Sequence, residues 1–181
     1  KNLTDNDVLI YEDESRIRAY QVLHATWNER GKQRCIPTYG HHAYVGLFGM
    51  VNVHTDDFFC QPASQYKTAD FQRFLMTILE RYEGKRAILI MDNARIHKAE
   101  ELQPFFEANR ERLFCIDLPP YSPNLNPVEH IWKWLKEVVI ANRFHPTQAS
   151  IAQAIDDFTH YIEENLERVL SRIANVHLLN S

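Results

Sequence analysis

The chain has 181 residues, of which 45% are hydrophobic and 24% charged, a composition typical of one globular domain with a sizeable core. No apolar run reaches the ~20 residues that span a bilayer and no basic, apolar leader opens the chain, so we expect a cytoplasmic protein with no membrane partner. A net charge of −4 gives no support for nucleic-acid binding, and three widely spaced cysteines argue against a disulfide framework or a structural zinc site.

The first apolar run, residues 8–11, is rich in β-branched and aromatic side chains and predicts a short buried strand. We expect this strand to end where three acids follow it, namely Glu12, Asp13 and Glu14. Residues 16–25 alternate loosely between polar and apolar, which predicts the return strand of a hairpin.

The stretch 27–39 contains glycine, proline and several charges, and it predicts a loop. Residues 42–53 form the best strand pattern of the first half. Within it, Gly46 and Gly49 indicate a bulge or close packing. We expect residues 56–60 to pair back on this strand.

From Thr68 onward, helical and strand patterns alternate. The first helix is predicted from Thr68 to a stop at Gly84, with an apolar face made of Phe71, Phe74, Leu75, Ile78, Leu79 and Tyr82. Residues 87–91 form a continuous apolar run typical of a strand buried on both faces. A helix over 98–109, despite an internal proline, and another apolar strand over 113–118 are predicted next.

A loop with four prolines, Pro119, Pro120, Pro123 and Pro127, leads into a helix predicted to end near residue 141. Asn126 suits the N-cap, Pro127 the first helical position and Glu129 position N3. Asn-x-x-Glu is also the pattern of a capping box, in which the N3 carboxylate bonds the N-cap backbone and needs no other role. Because so stiff an approach exceeds what chain reversal needs, we favour Glu129 as a positioned metal ligand. The apolar stripe of this helix consists of Ile131, Trp132, Leu135, Val138 and Val139.

A final helix is predicted from Thr147 to residue 171, with an apolar stripe at Ile151, Ile155, Phe158, Ile162, Leu166 and Val169. No repeat or linker divides the chain, so residues 1–181 are expected to form one domain whose core extends to about residue 145. The order of elements predicts an α/β fold in which helices flank a mixed five-stranded sheet.

Three acids from separate segments are expected to meet at one edge of this sheet. In open α/β sheets, ligands bind beyond the carboxyl ends of strands, where Asp92 and the loop bearing Glu129 are expected. Asp13 joins them if the first strand lies beside the fourth. Such an oxygen-only set suits two Mg²⁺ or Mn²⁺ ions, about 3.5–4 Å apart, in phosphodiester chemistry. Taken singly, Asp13 is better explained as a solvated charge and Asp92 as a turn residue.

Other motifs are absent or ambiguous. The sequence contains no phosphate-binding loop, dinucleotide-binding glycine motif, nucleophile elbow or zincin motif. His97 either orients a ligand or a substrate phosphate, or simply begins a helix. Lys133 and Lys136 share the helical face of the candidate glutamate, and they either contact phosphates or, for Lys133, form an i,i+4 ion pair.

Three segments stand out together: YEDES at 11–15, IMDNARIHK at 90–98 and LPPYSPNLNPVEHIWKWLK at 118–136. They resemble the catalytic domain of mariner-superfamily DDE transposases, most closely the bacterial insertion-sequence branch of the IS six-thirty type. The third segment is long and distinctive. Trp27 and Gly31 also match a Trp-x-x-x-Gly segment of that branch.

The resemblance implies a ribonuclease-H-like fold with an Asp-Asp-Glu triad, which maps onto Asp13, Asp92 and Glu129. In the first motif, the family pattern selects Asp13 over its acidic neighbours. The resemblance also implies two Mg²⁺ or Mn²⁺ ions, DNA cleavage at the ends of a transposable element, and attack of the freed 3′-hydroxyl on target DNA without a covalent protein–DNA intermediate.

Partners and location are implied by the same resemblance. The family usually carries an upstream helix-turn-helix region that recognises terminal repeats, acts as a homodimer and, in bacteria, works at the nucleoid. If the basic charge resides in that region, which this sequence lacks, the net charge of −4 is accounted for. The residues expected to hold the metal ligands in position or to contact DNA are Asn93, His97, Lys133 and Lys136.

Two other functions are compatible with the motifs. One is a transposase-derived protein that binds DNA or a partner without catalysis, which retention of all three acids disfavours. The other is a ribonuclease-H-fold nuclease that cuts without strand transfer, which the residues do not separate from a transposase.

Overall fold

The computed structural model describes residues 3–18, 29–30, 44–55, 57–63, 65–120, 122–141 and 143–165. Within them, five strands form one mixed sheet in the order β3-β2-β1-β4-β5. The strands are β1 (Asp7–Arg18), β2 (Tyr44–Asn52), β3 (Asp57–Ala63), β4 (Arg86–Met91) and β5 (Leu113–Asp117). β2 pairs antiparallel with β1 and β3, whereas β4 pairs parallel with β1 and β5. The predicted mixed five-stranded sheet is confirmed, with the first strand at its centre.

Helices cover both faces of the sheet. The helices are α1 (Thr68–Arg81), α2 (Gln103–Ala108), α3 (Val128–Leu135) and α4 (Gln148–Glu164). One apolar core lies between α1 and the sheet, and a second lies between the sheet and the pair α3 and α4. Successive β2 residues serve opposite cores, Leu47 that of α3 and Phe48 that of α1, because side chains alternate along a strand.

The first strand is longer than predicted. Residues 11–18 pair with residues 44–51 of β2, and this ladder keeps the acidic residues extended. The prediction that the strand ends at the acids was therefore wrong. The return strand predicted from residue 16 was also wrong, because Arg16 still belongs to β1 and the antiparallel partner is β2.

The helix predicted over 98–109 begins later than expected. Short 3-10 turns at Arg95–Lys98 and Glu100–Leu102 precede α2. Pro104 lies in the first turn of α2, where its missing N–H costs no hydrogen bond. A proline is favourable at a helix start and unfavourable in its interior, which explains the later start.

A π-helical turn extends α3 over Lys136–Ile140. The Ala141 N–H donates to the Lys136 carbonyl at 3.0 Å, a bond that spans five residues. The wider turn rotates the side chains that follow, so Val139 and Ile140 are buried while Val138 is exposed. The predicted helix end near residue 141 is confirmed, but the prediction that Val138 joins the buried stripe was wrong.

The predicted cap of the last helix is confirmed, since the Thr147 hydroxyl oxygen accepts the Ser150 N–H at 3.1 Å. The predicted stripe is buried at Ile151, Ile155, Phe158 and Ile162. Leu166, Val169, Trp27 and Gly31 lie outside the described residues. In the described part of the chain, no helix is long and apolar enough to cross a membrane.

Two glycines of β2 permit close approach, as predicted. A Cβ on Gly49 would lie 2.4 Å from Cζ2 of Trp132, and one on Gly46 would lie 2.6 Å from Cε2 of Tyr66. The Trp132 indole therefore sits directly on the β2 backbone and holds α3 against the sheet. This contact lies beside Asp13, which is paired with Gly49 across the ladder.

Replacing Gly49 by alanine is expected to destabilise the domain by about 1–3 kcal/mol, because the added methyl group overlaps the Trp132 ring. Trp132→Phe removes the two ring atoms nearest to the added methyl group. The loss of stability caused by Trp132→Phe should therefore be smaller in the Gly49→Ala background than in the unchanged chain. Urea denaturation of the single and double variants measures this coupling free energy. A coupling near zero would contradict the close contact.

Candidate metal centre

Parallel pairing of β1 with β4 brings the first two predicted ligands together. The ladder ends with Tyr11 paired to Ile90, and Asp13 and Asp92 each follow two residues later on their own strand or on the loop after it. One carboxylate oxygen from each, with one from Glu14, forms a group whose members lie within 4.8 Å of one another. Asp13 and Asp92 therefore share one edge of the sheet, as predicted.

Glu129 approaches this edge on the loop and helix that follow β5. The Asn126 side chain donates from Nδ2 to the Glu12 carbonyl at 2.7 Å, and its Oδ1 accepts the Val128 N–H at 3.2 Å. One buried amide thus ties the start of α3 to the middle of β1. Helix α3 begins at Val128, one residue after the predicted start, so the N-cap falls on Pro127, whereas Asn126 was predicted there; the Asn126 side chain still accepts the first N–H of the helix.

Glu129 lines a cavity of about 400 Å³ together with Asp13 and Asp92. Among the described residues, Glu129 is in neither of the groups whose ligand atoms lie within 4.8 Å of one another. Over the described residues, its carboxylate forms neither the capping-box bond to the Asn126 backbone nor an ion pair with Lys133. The other walls are Asn93, Ala94, Leu118, Pro119, Pro120, Ser122 and Asn126.

Negative charge is concentrated and poorly solvated at this cavity. Asp13 is 8% exposed, and its Oδ2 is buried without a hydrogen-bond partner. Burial, reinforced by the carboxylates of Glu129, Glu14 and Asp92, raises the pKa of Asp13 to about 8. A carboxylate in such surroundings requires either a proton or a cation beside it.

The donor set fits a hard divalent cation. Every candidate ligand atom is a carboxylate oxygen, the type that Mg²⁺ and Mn²⁺ prefer, and the orphaned Oδ2 of Asp13 is available. Asp92 is about half exposed, and its Oδ1 accepts the Ala94 N–H at 2.8 Å. The turn role that we considered as an alternative for Asp92 is therefore present, and it leaves the second oxygen for a ligand.

A second group of polar side chains lies behind β1. Glu12 is buried on the strand face opposite Asp13, toward His97, and Glu14 is partly exposed at the rim. The His97 Nδ1–H donates to the Asp92 carbonyl at 3.0 Å. Burial disfavours protonation of His97, but Glu14 and Asp92 outweigh it and raise the pKa of the ring. His97 thus contacts the backbone of a candidate ligand, as expected of a residue that orients it.

Tyr66 supports the strand that carries Asp13. Its φ of +51° is a left-handed conformation that costs a non-glycine residue about 1–2 kcal/mol. The Asp70 carboxylate accepts the N–H groups on both sides of it, from Gln65 and Lys67. The Tyr66 hydroxyl donates to the Ser15 carbonyl and accepts the N–H of Leu47. This hydroxyl therefore joins β1 to β2 two residues beyond Asp13.

The other predicted contact residues occupy separate places. Asn93 donates to the Leu118 carbonyl at 2.6 Å and accepts from Lys98 at 2.7 Å, which connects the loops after β4 and β5. Lys133 is exposed and Lys136 half-buried on the helix of Glu129. Direct contact of these side chains with a ligand or with DNA stays a prediction.

Sequence reasoning missed three features of the site. Asn126 bonds to β1 across 114 residues, and Tyr66 bonds to β1 across 51 residues, so no local pattern indicates either contact. The separation of Glu12 from Asp13 onto opposite faces had a usable signal. Successive side chains of a strand point to opposite faces, so a strand extended through the acids would have placed Glu12 and Asp13 on opposite sides of the sheet.

The comparisons with known proteins agree with this geometry. The sequence model of the DDE superfamily endonuclease family matches residues 8–152. The insertion element IS630 uncharacterized 39 kDa protein of Shigella sonnei is 30% identical over 156 residues, which cover 86% of this chain and 44% of that protein. The transposable element Tc3 transposase of Caenorhabditis elegans is 33% identical over 115 residues, covering 61% of this chain and 34% of that protein. The chain spans less than half the length of both relatives.

Solved structures share the fold. The mariner Mos1 paired end complex with Mg superposes with a TM-score of 0.65 at 16% identity, over 92% of this chain and 53% of that chain. At this level of identity the similarity concerns the fold, and it confirms the ribonuclease-H-like sheet flanked by helices.

In metal-free buffer, the thermal unfolding midpoint is expected to fall as pH rises between about 4 and about 8. The folded state holds a proton on Asp13 that the unfolded state, with a pKa of 3.8, has released, so raising the pH across this window removes stability. Asp13→Asn should show a shallower slope in scanning fluorimetry with EDTA. A slope unchanged by this substitution would contradict the burial of the carboxyl group.

Proposed function

The chain belongs to the DDE superfamily endonucleases, and we propose that it is the catalytic domain of a transposase, which cleaves DNA at transposon ends and joins the freed 3′-hydroxyl to target DNA. The observation that carries this proposal is that Asp13, Asp92 and Glu129 line one cavity although they come from three separate segments. Similarity to a transposase and to an insertion-element protein supports it.

The cofactor in this proposal is a pair of Mg²⁺ or Mn²⁺ ions held by Asp13, Asp92 and Glu129. When bound, the ions supply activation of the attacking oxygen and stabilisation of charge on the leaving oxygen. The oxygen-only donor set and the unpartnered Oδ2 of Asp13 support this choice of cation.

The chain's own residues hold this arrangement in place before substrate arrives. Asp13 lies on the central strand, which has partners on both sides, and Asp92 directly follows the neighbouring strand. Asn126 locks the helix of Glu129 to the same strand. Because the three carboxylates are carried by rigid, mutually bonded elements, little ordering remains to be done when the scissile phosphate binds.

DNA is the partner, both as transposon end and as target. Lys133 on α3 and Lys136 at the start of the π-helical turn follow Glu129, and they contact phosphates flanking the scissile bond, while Asn93 forms part of the cavity wall. The full-length protein acts as a homodimer that brings two ends together, and it works in the bacterial cytoplasm at the nucleoid.

Glu129→Gln is expected to lower Mn²⁺-dependent cleavage by more than about 100-fold. This loss is larger than that caused by removing a residue that only hydrogen-bonds to a metal ligand. Supercoiled-plasmid nicking measures this loss. The unfolding midpoint in EDTA should stay nearly unchanged, because amide and carboxylate fill similar space. Stabilisation of the variant by Mn²⁺ should be lost.

Glu80→Gln, which changes an exposed glutamate on α1, is the matched control and should cut as the unchanged chain does. Full cutting by Glu129→Gln would overturn the proposal. An assay with pre-cleaved oligonucleotide ends and plasmid target then separates joining from cutting. Cutting without joined products would favour a nuclease, and neither activity would favour a DNA-binding relative without catalysis.

Lys133→Ala is expected to weaken binding to duplex DNA of any sequence and to reduce the salt slope of the affinity by about 1, because one phosphate contact is removed. Fluorescence anisotropy at several salt concentrations measures both quantities. Lys85→Ala removes a lysine at the amino end of β4, away from Asp92, and should leave the slope unchanged. Equal slopes for the two variants would contradict the assigned contact.

A further inference from the structure

The rear face of β1 holds a buried polar cluster that the proposed catalysis does not use. It consists of Glu12, Glu14 and His97, each of which offers one ligand atom within 4.8 Å of the others. Glu12 is fully buried, and neither of its carboxylate oxygens has a hydrogen-bond partner. The Nε2 atom of His97 is also buried and unpartnered. Such groups are costly to bury unsatisfied, so the cluster holds either a shared proton or a cation.

The hydrogen bond of His97 indicates what its free nitrogen does. Because a carbonyl oxygen accepts and never donates, the contact at 3.0 Å requires the proton of the ring on Nδ1, facing the Asp92 carbonyl. In the neutral ring, Nε2 then presents a lone pair toward the carboxylates of Glu12 and Glu14. A histidine that donates one N–H to a carbonyl and aims the other nitrogen at anionic oxygens has the arrangement of a metal ligand.

The distances favour a shared cation over a direct hydrogen bond. Nε2 lies 3.3 Å from Oε1 of Glu14 and 3.5 Å from Oε2 of Glu12. A charge-assisted hydrogen bond between these groups would be about 2.7–2.9 Å long. Two donors bound at about 2.0–2.2 Å to one tetrahedral ion lie about 3.3–3.5 Å apart.

We propose that Glu12, Glu14 and His97 bind one divalent transition-metal cation, of the Zn²⁺ or Mn²⁺ class, behind β1, in a site that adjoins the catalytic carboxylates through Glu14. The mixed nitrogen and oxygen donors select these cations over Mg²⁺, which prefers oxygen alone. Of the three donors, Glu14 also lines a neighbouring cavity of about 340 Å³ together with Tyr66 and Arg95. The cation joins β1 to the turn after β4 from behind, where it supports both Asp13 and Asp92.

Pulsed EPR of bound Mn²⁺ tests the site without any activity measurement. The Asp92→Asn, Glu129→Gln double variant, with one equivalent of Mn²⁺, should show ¹⁴N coupling from a directly bound imidazole. The catalytic donors are all oxygens, so they contribute no such signal. Adding His97→Gln should abolish the coupling, and adding Glu12→Gln should weaken Mn²⁺ binding by about 10-fold or more.

His160→Gln is the matched control, because His160 also lies within 4.0 Å of two carboxylates, Glu163 and Glu164, on an exposed helix face. It should leave the coupling intact. Absence of ¹⁴N coupling in the double variant, or coupling that persists in His97→Gln, would overturn the proposal and assign the cluster a shared proton. Selective ¹⁵N labelling of histidine shows that the coupled nitrogen belongs to a histidine, and the loss of affinity in Glu12→Gln keeps the proposal testable if His97→Gln fails to fold.

Because the double variant lacks two catalytic ligands and no DNA is present, the outcome is independent of the transposase proposal. A rear-face cation with no DNA cleavage, or cleavage with no rear-face cation, are distinguishable results.

Discussion

The buried carboxylates on the central strand repel one another, and the rest of the domain must hold them in place against this repulsion. Glu12 and Asp13 are almost completely removed from water on opposite faces of β1, with Glu14 beside them. Burial and the neighbouring carboxylates raise the pKa of Glu12 and of Asp13 above their usual values. No arrangement of apolar side chains relieves this charge, so protons or cations must accompany it. The ladder of β1 with β2, which pairs all three acidic residues, keeps the acids in place despite this cost.

The supports of the site come from parts of the chain that are distant in sequence. Asn126 reaches the Glu12 carbonyl, Tyr66 reaches the Ser15 carbonyl, and His97 reaches the Asp92 carbonyl. Each bond ends on the backbone of a residue at or next to a candidate ligand, so it fixes the position of the carboxylate and leaves the carboxylate free. Side chains held in this way lose little further freedom when a cation or a phosphate binds.

Local strain accompanies these supports. Tyr66 adopts a left-handed conformation, and two glycines give up side-chain packing so that rings lie on the β2 backbone. The π-helical turn after α3 likewise departs from regular hydrogen bonding close to the helix that carries Glu129. Such departures persist where surrounding contacts hold them, and they are typical of functional sites.

Much of the architecture was readable from local pattern, because burial on one face repeats with the period of each element. The helices at Thr68 and Thr147, the buried strand before Asp92 and the proline loop before Glu129 were all predicted from the sequence alone. The pairing of strands determined features that the local sequence pattern does not indicate. The ladder with β2 carried β1 through three charges that disfavour a strand locally, and that extension set Asp13 and Glu12 on opposite faces. The bonds of Asn126 and Tyr66 join residues far apart in the chain, and only the tertiary structure brings such residues within reach.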